Sequence, residues 1–251
     1  MSCVLITGAS SGIGLQLAID YAAAGWQVIA CGRDQDKLRR SLQDSKISAF
    51  RSFDTTDPQA CATALAGDAE RVDLAILNAG TCEYIDDVRQ FDAAMFSRVI
   101  STNVLGTANC LAPLLRGMGH GSRIAIVSSS VTFLPLTRAE AYGASKAALD
   151  YLCRSLAIDC ARLGIGFTLI RPGFVDTPLT VRNDFAMPGR VESVTASSAI
   201  RRGLARGKRE ICFPRAFIGV LRLFSWLPVN LWHRLAVKMV RAAPVHEASD
   251  G

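Results

Sequence analysis

The chain has 251 residues, of which 50% are apolar and 20% are charged, and its net charge is +6. This composition excludes an intrinsically disordered chain and predicts a well-buried globular core. The eight cysteines form no C-x-x-C pair and lie mostly inside apolar runs, so we expect reduced thiols in a cytoplasmic protein rather than a disulfide framework or a metal site.

Short apolar runs alternate with longer segments of helical periodicity along the chain. The predicted strands are CVLIT, QVIAC, ISAFRSF, VDLAILNAG, SRIAIVSS and IGFTLIRPG, and the predicted helices span 12–24, 34–44, 57–67, 91–117 and 142–163. Short apolar runs bounded by Gly, Asn or Ser are typical of parallel strands covered on both faces. The alternation predicts a single doubly wound α/β domain of the Rossmann type over residues 1–213, with KREICFP as a further candidate strand. Because the first strand begins at the third residue, we expect no signal peptide.

A glycine-rich turn, TGASSGIG, directly follows the first strand. Its glycines are spaced G-x-x-x-G-x-G. Such a turn lets backbone amides at a helix N-terminus approach a diphosphate, although Gly/Ser clusters also form ordinary turns. We expect a dinucleotide to be bound here by Gly8, Ser10, Ser11, Gly12, Ile13 and Gly14.

Three motifs in this order resemble the short-chain dehydrogenase/reductase family, in its branch of about 250 residues. They are TGxxxGxG, NAG at 78–80 and YGASK at 142–146, and the resemblance runs from Cys3 to about Pro178. It implies a nicotinamide cofactor, further cofactor contacts from Asn78, Ala79 and Gly80, hydride transfer between the cofactor and a carbonyl or alcohol carbon, and a homodimer or homotetramer.

The resemblance also implies four catalytic residues, which are Asn103, Ser129, Tyr142 and Lys146. Tyr142 and Lys146 are four residues apart on a predicted helix, so they share a face, and a cation one turn away lowers the pKa of a phenol. In the family mechanism Tyr142 exchanges the substrate proton, Lys146 binds the nicotinamide ribose and Asn103 places a water. Ser129 ends a strand and polarises the substrate oxygen, a role that either neighbouring serine also fits. Without Asn103 and Ser129, a Tyr and a Lys four residues apart would indicate only an ordinary helix face.

Two further segments match cofactor positions of the family. RPGFVDTP resembles the segment that lines the nicotinamide, which adds Pro172, Gly173, Val175 and Thr177, whereas an ordinary turn is the alternative. Asp54 stands where the family holds the adenine, and Asp57 before Pro58 is predicted to cap a helix.

The end of the second strand predicts which nicotinamide cofactor is used. In a domain that binds NAD, an acid that binds the ribose hydroxyls is expected at the end of the second strand. In this chain Gly32 and Arg33 occupy these positions. A guanidinium can hold a 2′-phosphate in bidentate fashion, with help from Ser10 or Ser11. Asp34 either accepts the ribose of NAD or caps the following helix, and we favour the cap. The pattern therefore favours NADP(H) over NAD(H).

The stretch at about 178–200 corresponds to the substrate lid of the family. Leu179, Val181, Phe185 and Met187 make it apolar, so an apolar carbonyl or alcohol substrate is one interpretation. The other interpretation is that these side chains only pack the lid shut.

Residues 214–251 form an apolar and basic extension of helical pattern. Residues 200–241 include ten basic residues and a single acid, Glu210. Arg222 and Pro228 interrupt the apolar run, so it is shorter than a membrane span.

Contact with anionic lipid at the inner membrane surface through 214–241 is one interpretation of this extension. Arg234, Lys238 and Arg241 share one predicted helical face, as in interfacial helices. Packing against the domain or a second subunit is the other. No base-reading module accompanies the charges, so we expect no nucleic-acid partner.

Two functions fit the sequence. The first is an NADP-dependent oxidoreductase, and the second is a non-enzymatic NADP(H)-binding redox sensor or membrane-associated regulator. A sensor does not need all four catalytic residues, so we favour the enzyme.

Overall fold

A seven-stranded parallel sheet forms the centre of the structure, a computed structural model that describes residues 1–181 and 183–240. The strands are β1 (Cys3–Thr7), β2 (Gln27–Gly32), β3 (Ala49–Ser52), β4 (Leu74–Leu77), β5 (Arg123–Val127), β6 (Gly166–Pro172) and β7 (Glu210–Phe213). Their order is β3-β2-β1-β4-β5-β6-β7, which confirms the predicted doubly wound fold and the candidate strand KREICFP. The order reverses between β1 and β4, where open α/β sheets bind ligands.

Helices cover both faces of this sheet. They are α1 (Gly12–Ala23), α2 (Gln35–Ser41), α3 (Pro58–Leu65), α4 (Ala93–Ile100), α5 (Gly106–Gly117), α6 (Glu140–Asp159), α7 (Ser193–Ala205), α8 (Arg215–Ser225) and α9 (Val229–Val237). Asp34 caps α2 by accepting from the Lys37 amide, and Asp57 caps α3 through the amides of Gln59 and Ala60, so both predicted caps are confirmed.

Strands β1 to β6 each contribute to two separate apolar layers because successive side chains point to opposite faces. Val4 and Val28 belong to one layer, and Leu5 and Ile29 to the other. All four are fully buried. The sheet is therefore apolar on both faces, which explains the continuous apolar runs of its strands.

The helix predicted at 91–117 is interrupted. A π-helical segment, Ser101–Leu105, separates α4 from α5. π segments in helices frequently mark functional sites, because they displace side chains from the regular helical face. This one carries Asn103.

Beyond β6 the chain forms the predicted lid region and extension. Helix α7 begins within the range predicted for the lid, and the extension consists of α8 and α9. Arg182 and the end of the extension, 241–251 with Arg241, lie outside the described residues. None of the described helices is long and apolar enough to cross a membrane.

Candidate functional site

A cleft of about 860 Å³ lies where the strand order reverses, beyond the carboxyl ends of β1, β2, β3 and β4. It is formed by the loops that follow these strands. The structure brings eleven predicted cofactor residues to its wall, namely Gly8, Ser10, Ser11, Gly12, Ile13, Arg33, Asp54, Asn78, Ala79, Gly80 and Thr177.

The glycines of the first turn leave no room for side chains. Gly8 and Gly12 have φ values of +67° and +55°, which only glycine adopts readily. A Cβ on Gly14 would lie 2.3 Å from the Gly8 carbonyl oxygen and 2.5 Å from Asn78 Nδ2. The turn therefore presents bare backbone at the N-terminus of α1, the geometry that a dinucleotide diphosphate requires. The Ser11 hydroxyl makes no capping hydrogen bond.

The NAG segment after β4 is fastened to the first turn. The Thr7 hydroxyl accepts from the amides of Asn78, at 2.9 Å, and Ala79, at 3.1 Å. Asn78 Nδ2 donates to the carbonyl oxygens of Thr7 and Gly8. Thr7 thus aligns two walls of the cleft, a role that the sequence analysis did not assign to it.

The end of β2, which is predicted to select the cofactor, lies on the cleft wall. The Arg33 side chain is 82% exposed and approaches Asp54 at 3.9 Å. Hydrogen bonds from Thr56 hold the pKa of Asp54 below its usual range. Asp34 Oδ1 accepts from the Lys37 amide at 2.9 Å, so this oxygen is engaged in the cap.

Asn103 is fully buried and joins three parts of the site. Its Oδ1 accepts from the Thr81 amide at 2.7 Å, and its Nδ2 donates to the Thr81 carbonyl and to the Ser145 hydroxyl, both at 2.9 Å. Ser145 in turn donates to the Tyr142 carbonyl at 2.7 Å. The π segment is therefore tied both to the loop after β4 and to the turn of α6 that carries Tyr142. Ser145, which was not predicted as a site residue, links Asn103 to this turn.

Tyr142 lies beside Ser129 at the carboxyl end of β5. The predicted lowering of the Tyr142 pKa by Lys146 is wrong, because burial of the phenol dominates and raises its pKa. The interaction with the Ser129 hydroxyl lowers this pKa by a smaller amount. Ser128 instead points into the core, where its hydroxyl donates to Asp150 at 2.5 Å. Of the three neighbouring serines, Ser129 is the one that interacts with the phenol.

Lys146 is almost completely buried next to Tyr142. Its Nζ lies 5.6 Å from the centre of the Tyr142 ring and donates to the Val127 carbonyl at 2.9 Å. Burial lowers the pKa of Lys146 to about 8. A Cβ on Gly80 would come within 3.5 Å of this Nζ and within 3.1 Å of Asn103 Oδ1, so Lys146 and Asn103 meet at Gly80.

An aromatic wall lies between the predicted lid and the loop after β4. The Phe185 ring of the lid packs edge-on against Tyr84, at 5.6 Å, and against Phe174, at 6.0 Å. Arg138 fastens this lid by pairing with Asp86 at the loop after β4 and with Asp184 on the lid. The sequence analysis identified Phe185 but not Tyr84 or Arg138, because their contacts are distant in sequence.

Four predicted cofactor residues lie behind the cleft wall rather than on it. Gly14 packs beneath the first turn, Pro172 and Val175 are buried, and a Cβ on Gly173 would meet the Phe217 ring of α8 at 3.0 Å. Within residues 1–181 and 183–240, no group of three or more His, Cys, Asp or Glu side chains is arranged to hold a metal ion.

Comparisons with known proteins agree with this geometry. A family model described as short chain dehydrogenase matches residues 2–186. An uncharacterized oxidoreductase of Myxococcus xanthus is 32% identical over 94% of this chain and 96% of its own length. A galactitol 2-dehydrogenase (L-tagatose-forming) of Cereibacter sphaeroides is 33% identical over 72% of this chain and 74% of its own. The crystal structure of a short chain dehydrogenase from Burkholderia cenocepacia in complex with NADP superimposes with a TM-score of 0.83 at 21% identity, covering 94% of this chain and 97% of that one.

Proposed function

The chain belongs to the short-chain dehydrogenase family, and on that premise we propose that it transfers hydride between NADP(H) and the carbonyl or alcohol carbon of an apolar small molecule. The observation that carries the proposal is the cluster of the four predicted catalytic residues beside the cleft. Tyr142 interacts with Ser129 and lies next to Lys146. Lys146 Nζ and Asn103 Oδ1 both approach Gly80 on the cleft wall. A nicotinamide cofactor fits the cleft, because its glycines leave space that side chains would fill. Membership of this oxidoreductase family favours an enzyme over a redox sensor.

Tyr142 is the proposed proton donor. Burial raises the pKa of its phenol, so the phenol is protonated at neutral pH and suits the reduction of a carbonyl, in which the substrate oxygen takes up a proton. The Ser129 hydroxyl is placed to donate a hydrogen bond to the same oxygen. When bound, the cofactor supplies the hydride.

Lys146 and Asn103 are proposed to prepare the site for this proton transfer. With a pKa of about 8, Lys146 is mostly a cation at neutral pH, and this charge favours the phenolate that remains after Tyr142 has given up its proton. The ammonium lies against Gly80, where it can reach the hydroxyls of a nicotinamide ribose. Asn103 fixes Thr81 and, through Ser145, the backbone of Tyr142.

The proposed preference for NADP(H) rests on Arg33. Its guanidinium lies on the cleft wall and is held only by a long contact to Asp54, so it is available to a 2′-phosphate. Gly32 supplies no carboxylate that would repel this phosphate, and Asp34 Oδ1 is engaged in its cap.

The proposed apolar substrate class rests on the aromatic wall of the site. The rings of Tyr84, Phe174 and Phe185 pack in series next to the lid. The galactitol 2-dehydrogenase and a sulfoacetaldehyde reductase among the relatives differ in their substrates, so the substrate is inferred from this chain's own residues.

We further propose a cytoplasmic homo-oligomer. The eight cysteines are free in the structure, as expected in a reducing compartment. The family commonly forms dimers or tetramers, and Tyr151 and Ile158 on α6 are 80% and 76% exposed. Large exposed apolar residues of this kind are typical of subunit interfaces.

The experiment is a screen of NADPH and NADH oxidation with ketones and aldehydes of increasing chain length. We expect turnover with NADPH that rises with chain length. Tyr142→Phe, which keeps the ring but has no proton to give, should bind NADPH and lose activity by at least about 100-fold. Unchanged activity of this variant would refute the assigned proton donor, and tight NADPH binding without turnover of any carbonyl would favour the sensor.

A further inference from the structure

The outer side of α8 is apolar although it lies at the surface. Val220, Leu223 and Trp226 are spaced three residues apart and share one helical face, and Val229 follows them at the start of α9. Their side chains are 51%, 69%, 87% and 83% exposed. We call these four residues the outer apolar face. A continuous exposed apolar surface of this kind marks contact with another surface.

The inner sides of α8 and α9 fix this face in place. Ile218 of α8 is buried, and Arg222 donates to Glu210 of β7 at 3.1 Å. Trp232 of α9 donates its indole N–H to the Pro135 carbonyl at 3.1 Å, and its ring lies 6.0 Å from that of Phe224. Both helices are therefore docked on the domain, while none of the described residues covers the outer apolar face.

The charged residues of the helices that carry this face are all basic. Arg215, Arg234 and Lys238 are exposed, and no acidic residue occurs between residues 211 and 240. Within the described part of the chain, no carboxylate pairs with any of these three cations. The partner of this surface is therefore expected to be anionic as well as apolar.

We propose that the outer apolar face and these three cations bind the surface of an anionic lipid bilayer. Exposed Trp and Leu side chains with flanking Lys and Arg are the composition of interfacial helices, in which indole rings lie at the level of the headgroups. α8 and α9 have only 11 and nine residues and are separated by Pro228, so they rest on the bilayer without crossing it.

A second copy of the chain fits this surface less well. A twofold contact sets the same patch against itself, so it would bring the cations of both copies into one interface. Juxtaposed like charges without compensating acids oppose such a contact.

Flotation of the full chain with phosphatidylcholine vesicles, with and without phosphatidylglycerol, tests the proposal. We expect binding to the anionic vesicles that weakens as salt is added. Leu223→Glu with Trp226→Glu should lower the bound fraction at least about tenfold, because the interface cannot take up carboxylates. Arg234→Glu with Lys238→Glu should remove the preference for phosphatidylglycerol.

Matched controls separate this surface from general effects of charge. Val88→Glu with Val194→Glu adds the same charges at valines that are 72% and 56% exposed elsewhere, and should float like the parent. Circular dichroism of every variant verifies folding. Equal flotation of the parent and the Leu223/Trp226 variant would overturn the proposal.

A chain that does not float, but whose self-association in sedimentation velocity is abolished by the Leu223/Trp226 variant, would assign the face to a second copy instead. Binding is measured without substrate or cofactor, so failure here leaves the proposed enzymatic function untouched.

Discussion

Replacing Lys146 by Met measures the energetic cost of the buried ammonium. Lys146 is 4% exposed, and burial lowers its pKa from 10.5 to about 8. At about 1.4 kcal/mol per pH unit, this corresponds to about 3 kcal/mol of lost folding stability below pH 8. The hydrogen bond from Nζ to the Val127 carbonyl stabilises the folded chain by about 1 kcal/mol, which offsets part of this loss. Because Met fills a similar volume without charge, we expect Lys146→Met to raise the free energy of unfolding by about 2 kcal/mol at pH 7.

The pH dependence identifies the cause of this gain. Between pH 8 and 10.5 the unfolded chain binds a proton on Lys146 that the folded chain has released, so the stability of the parent rises with pH across this window. The Met side chain does not titrate, so it adds no such dependence of stability on pH. The advantage of the variant is therefore full below pH 8, shrinks by about 1.4 kcal/mol per pH unit above it and is lost at about pH 9.5.

Urea unfolding followed by circular dichroism, at neutral and at alkaline pH, measures both effects. Lys46→Met removes an exposed lysine and should change the free energy of unfolding by less than about 0.5 kcal/mol. Lys146→Met should at the same time lose carbonyl reduction, since the cation that supports Tyr142 is gone. A Met variant that is no more stable than the parent at pH 7, or an advantage that does not change with pH, would refute this reasoning.

Two further predictions concern the cofactor cleft. Gly32→Asp with Arg33→Leu supplies a ribose-binding carboxylate and removes the group that binds the 2′-phosphate. The ratio of kcat/KM for NADPH to that for NADH should therefore fall at least about tenfold. An unchanged ratio contradicts the assignment of Arg33. Gly14→Ala forces a Cβ to within 2.3 Å of a backbone oxygen, so urea unfolding should report a loss of about 1–3 kcal/mol and fluorescence titration a weaker affinity for NADPH. Gly67→Ala, with no heavy atom within 4 Å of its Cβ, is the matched control and should leave the affinity for NADPH unchanged.

The elements that depend on local physics were predictable from the sequence. Asp34 and Asp57 cap helices because an acid directly before a helix accepts its free amides, and this requires only near neighbours in the chain. The glycine-rich turn after β1 and the apolar runs of the parallel strands can also be recognised from near neighbours in the chain. Chain order and spacing were therefore enough for the fold and for eleven residues of the cleft wall.

The features that depend on distant contacts were not predictable in the same way. Asn103 interrupts a predicted continuous helix because its amide bonds Thr81 and Ser145, which are 22 and 42 residues away. The helical periodicity of the sequence does not reveal these hydrogen bonds. The choice of Ser129 over Ser128 likewise depends on Asp150, a buried partner of Ser128 that lies on another element.

The extension and the active site share one contact that connects the two proposals. Phe217 of α8 packs on Phe174 at 5.6 Å, and Phe174 packs on the lid residue Phe185. The aromatic wall beside the lid therefore continues into the helix that carries the outer apolar face. If α8 rests on a bilayer, this wall lies close to the lipid, and an apolar substrate can pass from lipid to the site along aromatic side chains. The unfavourable exposure of an apolar substrate to water would then be avoided, because the substrate leaves one apolar environment for another.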